Sequence, residues 1–268
     1  MSSKLGPVIY EKPFLYDLAF GYRDFRKEAD LLAAWFRRAS GREGPDSVIE
    51  LAAGPAEHAA EFASRGAQAA ALDLSPAMCA YARKKAAARG VEVEVRCGDM
   101  TEFSIARKFD LALLMISSTA HIYTLDAFVR HLRCVGAHLR PRGVYILEMP
   151  HPGDFLRSQK ARAGSVWTMK QDSIEIEVRW GSPDDPYDPI AQILEARVEL
   201  RVRDGTHEEV HVDRCRMRDW TASEFEAVVR LSGCFEIAER HGDWALDAPF
   251  DDSPASWRML SVLRRTGE

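Results

Sequence analysis

Val48-Ile-Glu-Leu-Ala-Ala-Gly-Pro-Ala56 decides the fold. A short apolar run, Val48 to Leu51, carries a carboxylate at Glu50, and a tight turn bearing Gly54 follows at once. Glu57 to Arg65 then has helical character and stops at Gly66. Strand, turn and helix in that order open the first ligand crevice of an open α/β sheet. Gly54 permits close approach of backbone to a ligand. A carboxylate here suits a ligand with a positive centre or with donors to offer, and not a phosphate.

Outward from this stretch the alternation continues. Ala69 to Leu72 reads as a second strand ending at Asp73, and Ser75-Pro76 caps a helix running to about Arg89. Val91 to Val95 reads as a half-exposed strand, and Asp110 to Ile116 as a buried central one. Leu125 to Leu139 is helical, stopped by Pro141 and Gly143, and Val144 to Leu147 is a further buried strand. Strands alternating with helices predict a parallel sheet. On the amino-terminal side, Tyr16 to Arg38 reads as one helical region, with Phe25, Ala29, Leu32, Trp35 and Phe36 at helical spacing. After Glu148 the pattern becomes β-rich: Ser173 to Trp180, Ile193 to Arg203 and Glu208 to Met217, with a hairpin turn at Asp204-Gly205. Thr221 and Glu224 form a capping box for a last helix. Phe235 to Arg240 and Trp257 to Leu263 are expected to close the sheet as an antiparallel pair.

The bulk composition excludes several classes. The chain has 268 residues, 46% of them hydrophobic, and a formal net charge of -5. That is enough for one large α/β domain with an insertion. No basic block is present, so a nucleic-acid partner is not expected. No apolar run approaches the roughly 20 residues of a membrane span, and Met1 to Lys12 lacks a signal-peptide core. Five widely spaced cysteines, Cys79, Cys97, Cys134, Cys215 and Cys234, form no Cys-x-x-Cys pair. They predict reduced thiols in a cytoplasmic protein, with neither a disulfide framework nor a metal site.

Acids at successive strand ends carry the chemistry. Glu50 lies at the first, Asp73 ends the second, Asp99 follows the third in Cys97-Gly98-Asp99-Met100, and Ser117 and Ser118 follow the fourth. Carboxyl ends of parallel strands lie along one edge, so these groups share a crevice. Asp73 would accept from both ribose hydroxyls and Asp99 from an adenine amino group, with Leu74 and Met78 against the adenine face. Taken singly, each acid is also an ordinary strand-end or turn residue. No Lys follows the first turn and Gly-x-Gly-x-x-Gly is absent, so the crevice suits an adenosine without a pyrophosphate.

Order and spacing together resemble the class I S-adenosylmethionine-dependent methyltransferases. Glu50-Leu-Ala-Ala-Gly54 resembles their first motif, Ala71-Leu-Asp73-Leu-Ser75 the second and Gly98-Asp99-Met100 the third. Phe109 to Met115 resembles the fourth, and Leu139-Arg-Pro-Arg-Gly143 the turn before the fifth strand. Pro55 and Ala56 stand where the family usually has further glycines. Met115-Ile-Ser-Ser-Thr-Ala-His121 and the β-rich insertion are similar to aminosugar N-methyltransferases of antibiotic pathways, and more distantly to glycine N-methyltransferases.

The resemblance implies a Rossmann-like, seven-stranded, mostly parallel sheet with helices on both faces and an antiparallel β-rich insertion after the fifth strand. Residues 1–45 would form a helical cap, 46–154 the cofactor-binding core, 155–218 the insertion and 219–268 the completion of the sheet. The insertion would roof the substrate or form a homodimer interface. S-adenosylmethionine would bind against Tyr22, Arg23, Glu50, Ala52, Gly54, Asp73, Leu74, Met78, Gly98, Asp99, Met100, Met115 and Ser117. Arg23 would neutralise its carboxylate. Glu50 would lie beside its amino and sulfonium end.

His121 and Tyr16 would act on a small-molecule acceptor, with His151 as a further substrate contact and no metal. An attacking amine must be neutral and a hydroxyl needs a base; a His with an unperturbed pKa of about 6.5 serves either. The expected reaction is therefore methyl transfer to an amine nitrogen, with a hydroxyl as the alternative. A nicotinamide-dependent oxidoreductase and a non-catalytic binding protein remain as competing readings.

Overall fold

The structure, a computed structural model, describes residues 8–157 and 164–267. Five strands, β1 (Ser47–Leu51), β2 (Gln68–Asp73), β3 (Val93–Cys97), β4 (Phe109–Leu114) and β5 (Leu139–Pro150), pair in parallel in the order β3-β2-β1-β4-β5. β12 (Arg258–Arg265) then pairs antiparallel with β5, and β11 (Phe235–His241) antiparallel with β12. The chain moves one way from β1 through β3 and the other way from β4 to β5. The two directions part between β1 and β4, which makes the carboxyl ends there a ligand crevice.

Side-chain alternation divides the core into two layers. Ile49, Leu51, Ala112, Leu114, Tyr145 and Leu147 face α5 (Leu125–His138) and α7 (Ala222–Ser232). Val48, Leu111, Leu113, Val144 and Ile146 face α2 (Phe25–Ser40), which buries Leu32, Trp35 and Phe36 completely. Truncating Trp35 to alanine would cost about 3–5 kcal/mol. Apolar residues on both faces are why β1 and β4 read as continuous runs. α3 (Glu57–Ser64), α4 (Pro76–Ala88) and the single turn α6 (Gly153–Leu156) complete the helices, together with α1 (Pro13–Phe20).

The expected Tyr16–Arg38 helix is two helices. α1 ends at Phe20, and Asp24 restarts the chain by accepting the Lys27 N–H at 3.0 Å as the cap of α2. Ser75 and the Thr221–Glu224 box cap α4 and α7 as their sequences predict.

The β-rich stretch is a second, antiparallel sheet. It consists of β6 (Ser165–Gln171), β7 (Ile174–Trp180), β8 (Tyr187–Asp188), β9 (Ile193–Asp204) and β10 (His207–Arg218), in the order β10-β9-β7-β6 with β8 on β9. Asp204 pairs with His207, so the hairpin turn is Gly205-Thr206, one residue beyond its expected place. The sheet's apolar face, Ile176, Val178, Val198 and Leu200, packs on Leu18, Ala19 and Phe20 of α1. Among the described residues no helix is long and apolar enough to cross a membrane.

Candidate active site

A cavity of about 1340 Å³ opens at the carboxyl ends of β1 to β4. The first sheet supplies its floor. The short 3-10 helix Val8–Glu11, α1 and the second sheet supply its cover, through residues such as Tyr10, Phe20, Trp167 and Trp180. Tyr16, Tyr22, Ala52, Gly54, Asp73, Leu74, Met78, Gly98, Asp99, Met100, Ser117 and His121 all line it.

One end is an arrangement of acceptors and apolar walls. Asp73 Oδ2 accepts the Gly54 N–H at 2.7 Å and Oδ1 accepts the Ser75 N–H at 2.8 Å, so one carboxylate joins the turns after β1 and β2. A carboxylate has about four lone-pair sites, so two remain for a ligand's hydroxyls. Burial raises the pKa of Asp73 despite these backbone bonds, which leaves it short of donors. Asp99 Oδ1 accepts from the backbone and hydroxyl of Thr101 at 2.7 and 2.8 Å. Among the described residues its Oδ2 takes no hydrogen bond. Leu74 is 58% exposed at the cavity wall, an apolar face without a covering partner in the chain. Two acceptors and an apolar wall fit an adenosyl group, while the cavity's lining arginines are Arg130 and Arg258.

Backbone in the first turn is left-handed three times, at Ala52 (φ 46), Gly54 (φ 50) and Ala56 (φ 61). Only Gly54 takes this conformation without a Cβ penalty. Ala56 does so at the position opening α3, where the resembled family has glycine. The turn therefore keeps its path at a cost in strain. A Cβ built on Gly98 would lie 3.1 Å from Leu72 Cδ1, a tight contact that the Leu72 side chain would have to yield to.

The other end carries a polar pair in an aromatic wall. His121 closes a short 3-10 helix, Ser118–His121, immediately after β4, and its Nε2 lies 2.9 Å from Tyr10 Oη. Burial lowers the His121 pKa, so the ring is neutral near pH 7. Burial pushes the Tyr10 hydroxyl up, as it does Tyr16, where Asp73 adds to the effect. The pair is thus a neutral imidazole beside a protonated phenol. It can accept or relay a proton without first being charged. Trp167, fixed by its indole N–H donating to the Ala19 carbonyl at 2.7 Å, walls this end with Trp180, Met169 and Met217.

Four expected site residues lie outside the cavity lining. Glu50 is 4% exposed and points into the interior, where Oε1 is 3.0 Å from His58 Nδ1 and Oε2 accepts the Ala59 N–H at 2.8 Å. A buried carboxylate requires such partners, and the positive centre it meets is His58. Arg23 donates Nε to Glu28 at 2.8 Å and Nη1 to Glu148 at 2.9 Å, so its charge is already matched inside the protein. Met115 is buried against α2, and it is the next residue, Ile116, in the turn after β4, that lines the cavity. His151 is held behind the rim, with Nε2 3.0 Å from the Asp251 carbonyl and Nδ1 accepting the Gly153 N–H.

Sequence reasoning overlooked Tyr10. Four residues of 3-10 helix have no readable periodicity, and only Pro13, which opens α1, marks that a packed segment precedes it. It also overlooked His58, whose ring Nε2 reaches Glu28 at 2.8 Å. Burial works against charge on His58, but the hydrogen bonds its ring donates to Glu28 and Glu50 outweigh it and lift its pKa to about 9. The only available signal was that His58 follows the first turn on the face that packs inward. Among the described residues no group of three or more His, Cys, Asp or Glu could hold a metal ion.

Comparison with known proteins follows this geometry. Residues 48–143 match the methyltransferase-domain family. Over 136 residues, 50% of this chain, the sequence is 32% identical to a dTDP-3-amino-3,6-dideoxy-alpha-D-glucopyranose N,N-dimethyltransferase of Streptomyces fradiae. That match covers 51% of the Streptomyces protein, so the chain spans about half the length of the curated relatives it matches. A solved S-adenosylmethionine-dependent methyltransferase of Clostridium acetobutylicum superposes with a TM-score of 0.76 at 18% identity, over 97% of this chain and 99% of that one. An amino pentose methyltransferase of Micromonospora echinaspora, solved with S-adenosylmethionine bound, gives 0.73 at 20% identity, over 94% of this chain and 96% of that one. The chain therefore matches a methyltransferase-domain family over residues 48–143 and has, along nearly its whole length, the fold of the S-adenosylmethionine-dependent methyltransferases.

Proposed function

We propose that this chain moves the methyl group of S-adenosylmethionine to an amine nitrogen of a small molecule, with an amino sugar carried on a nucleotide as the first acceptor to try. One observation carries the reading: a single cavity joins the Asp73–Leu74–Asp99 end to the neutral His121–Tyr10 pair. The names of the curated relatives, all of them dTDP-aminosugar N,N-dimethyltransferases, supply the acceptor class.

Bound S-adenosylmethionine supplies an electrophilic methyl on a sulfonium, for in-line displacement. The protein's own part is positioning, exclusion of water and proton handling. Asp73 and Asp99 hold the adenosyl end through their remaining lone pairs, while Leu74 and Met78 flank the base. Trp167, Trp180 and Phe20 dry the acceptor end and orient the acceptor body. His121, neutral because it is buried, takes a proton from the acceptor nitrogen, and the Tyr10 hydroxyl orients the ring. The same pair could deprotonate a hydroxyl, which keeps O-methylation as the second reading.

Residues 155–218 serve in this reading as the roof of the acceptor site, supported by Trp167, Met169, Trp180 and Met217 on the cavity wall. A cytoplasmic location is supported by free thiols at all five cysteines. A homodimer is supported by the open edge of β10, with Val210 and Val212 exposed, and size-exclusion chromatography with light scattering checks it. The test of the reaction is methyl transfer from isotope-labelled S-adenosylmethionine to a panel of dTDP-amino sugars, simple amines and phenols. Label on the sugar nitrogen is the expected result; label confined to phenols favours the second reading, and label on none of them overturns both.

A further inference from the structure

Immediately after β4 the backbone is left-handed at two consecutive residues, Ile116 (φ 53) and Ser117 (φ 56). A β-branched side chain at positive φ is a conformational outlier, and strain of this kind persists only where the surroundings over-determine it. Ser117 leads directly into the Ser118–His121 helix, so this turn aims His121. Its own bonds, Ser118 N–H and Oγ–H to the Met115 carbonyl at 3.2 and 2.8 Å, do not involve the Ile116 N–H. That N–H donates instead to Glu148 Oε2, at 2.9 Å.

Glu148 is well placed to act as an anchor. Its side chain is 1% exposed on β5, with Arg23 Nη1 at 2.9 Å and Arg258 Nε at 3.3 Å. Arg23 is in turn paired with Glu28, Glu28 with His58, and His58 with Glu50 in β1. Charges alternate along this buried chain, which runs from Glu50 in β1 to the turn after β4 that bounds the cavity. Removing one member leaves its neighbour buried and unpaired. We propose that Glu148 is a positioning residue for methyl transfer: fixed by Arg23 and Arg258, its carboxylate holds the strained Ile116–Ser117 turn and thereby the place of His121 in the cavity. The proposal rests on the methyltransferase reading for its kinetic consequence, but not for its structural one.

The test is a double-mutant cycle between Glu148→Gln and Ile116→Gly, with a separate structural readout. A small displacement at the reacting centre costs on the order of a hundredfold. Glu148→Gln should therefore lower kcat about ten- to a hundredfold, with affinity for S-adenosylhomocysteine held within about threefold. In the Ile116→Gly background, where the turn is free of strain, the same substitution should cost less than about threefold. An equal loss in both backgrounds, or no loss in either, overturns the proposal. In the unsubstituted protein the Ile116 amide should exchange slowly with solvent deuterium by NMR. Exchange at the rate of an open loop overturns it without any variant or assay. If the wild type methylates no acceptor, the methyltransferase reading fails, and amide exchange alone then decides the role of Glu148.

Discussion

His58 and Glu50 form a buried ion pair, Nδ1 to Oε1 at 3.0 Å, directly behind the turn that lines the cavity. His58 Nε2 reaches Glu28 at 2.8 Å on its other side, so the ring bridges two carboxylates. The acid near the end of β1 is thus a structural tie between β1, α3 and α2.

That bridge makes stability depend on pH in a definite direction. The folded-state pKa of His58 is raised from 6.5 to about 9. A raised pKa on a base contributes stability that is whole below 6.5 and is lost as pH climbs through about 9. The loss is on the order of 3 kcal/mol. Thermal melts from pH 6 to 10 should fall across this window, and His58→Gln should flatten the fall while lowering the melting temperature at pH 6. A wild-type melting temperature that is level from pH 6 to 10 would remove His58 from the network.

Asp73 should govern cofactor affinity. It joins Gly54 to Ser75 and keeps two lone-pair sites for the ligand. Hydrogen bonds to a charged group contribute about 1.5–3 kcal/mol each. Asp73→Ala should therefore weaken S-adenosylhomocysteine binding at least about tenfold by calorimetry, with circular dichroism unchanged. Unaltered affinity would show that the carboxylate serves only the turn.

His121 and Tyr10 should act on turnover and spare cofactor binding. His121→Ala should lower kcat by roughly two to four powers of ten. Tyr10→Phe removes the hydroxyl 2.9 Å from Nε2 and should cost less, about ten- to a hundredfold. Because burial lowers the His121 pKa, its acid limb in kcat should lie below 6.5. The limb of the acceptor amine moves when acceptors of different basicity are compared; that of His121 stays. Full turnover in His121→Ala would exclude it as proton acceptor.

Strain in the first turn should be measurable as stability. Ala52 holds φ 46 at half-buried exposure. A left-handed L-residue costs about 1–2 kcal/mol, offset in part by the entropy of glycine. Ala52→Gly should therefore raise the melting temperature by about 1–4 °C. A lower melting temperature would mean that the methyl contributes more by packing than the strain costs.

The sheet was legible because its signals are local and periodic. Val48, Ile49 and Leu51, and Leu111 to Leu114, put apolar residues on both faces, and Ser75, Thr221 and Glu224 cap the helices that their sequences predict. Strand-end acids were legible as a set, since parallel strands bring Asp73 and Asp99 to one edge. Their side-chain directions were not. Glu50 turns inward because His58 and the Ala59 N–H wait there, and neither is visible from a strand-end rule. Arg23 is drawn to Glu28 and Glu148, the latter 125 positions away, which only the folded sheet brings near. Tyr10 depends on packing of a short segment across the second sheet, where its hydroxyl also lies 3.9 Å from Cys215 Sγ. Tertiary contacts, and not local propensity, chose among residues that the pattern had marked as equivalent.

Titration calorimetry with S-adenosylhomocysteine and with NADH tests the central claim most directly, that this cavity takes the adenosyl group of S-adenosylmethionine and not a nicotinamide dinucleotide. The predicted result is saturable binding of S-adenosylhomocysteine in the micromolar range, weakened at least about tenfold in Asp73→Ala, with no heat from NADH. Tight NADH binding with no response to S-adenosylhomocysteine would contradict it.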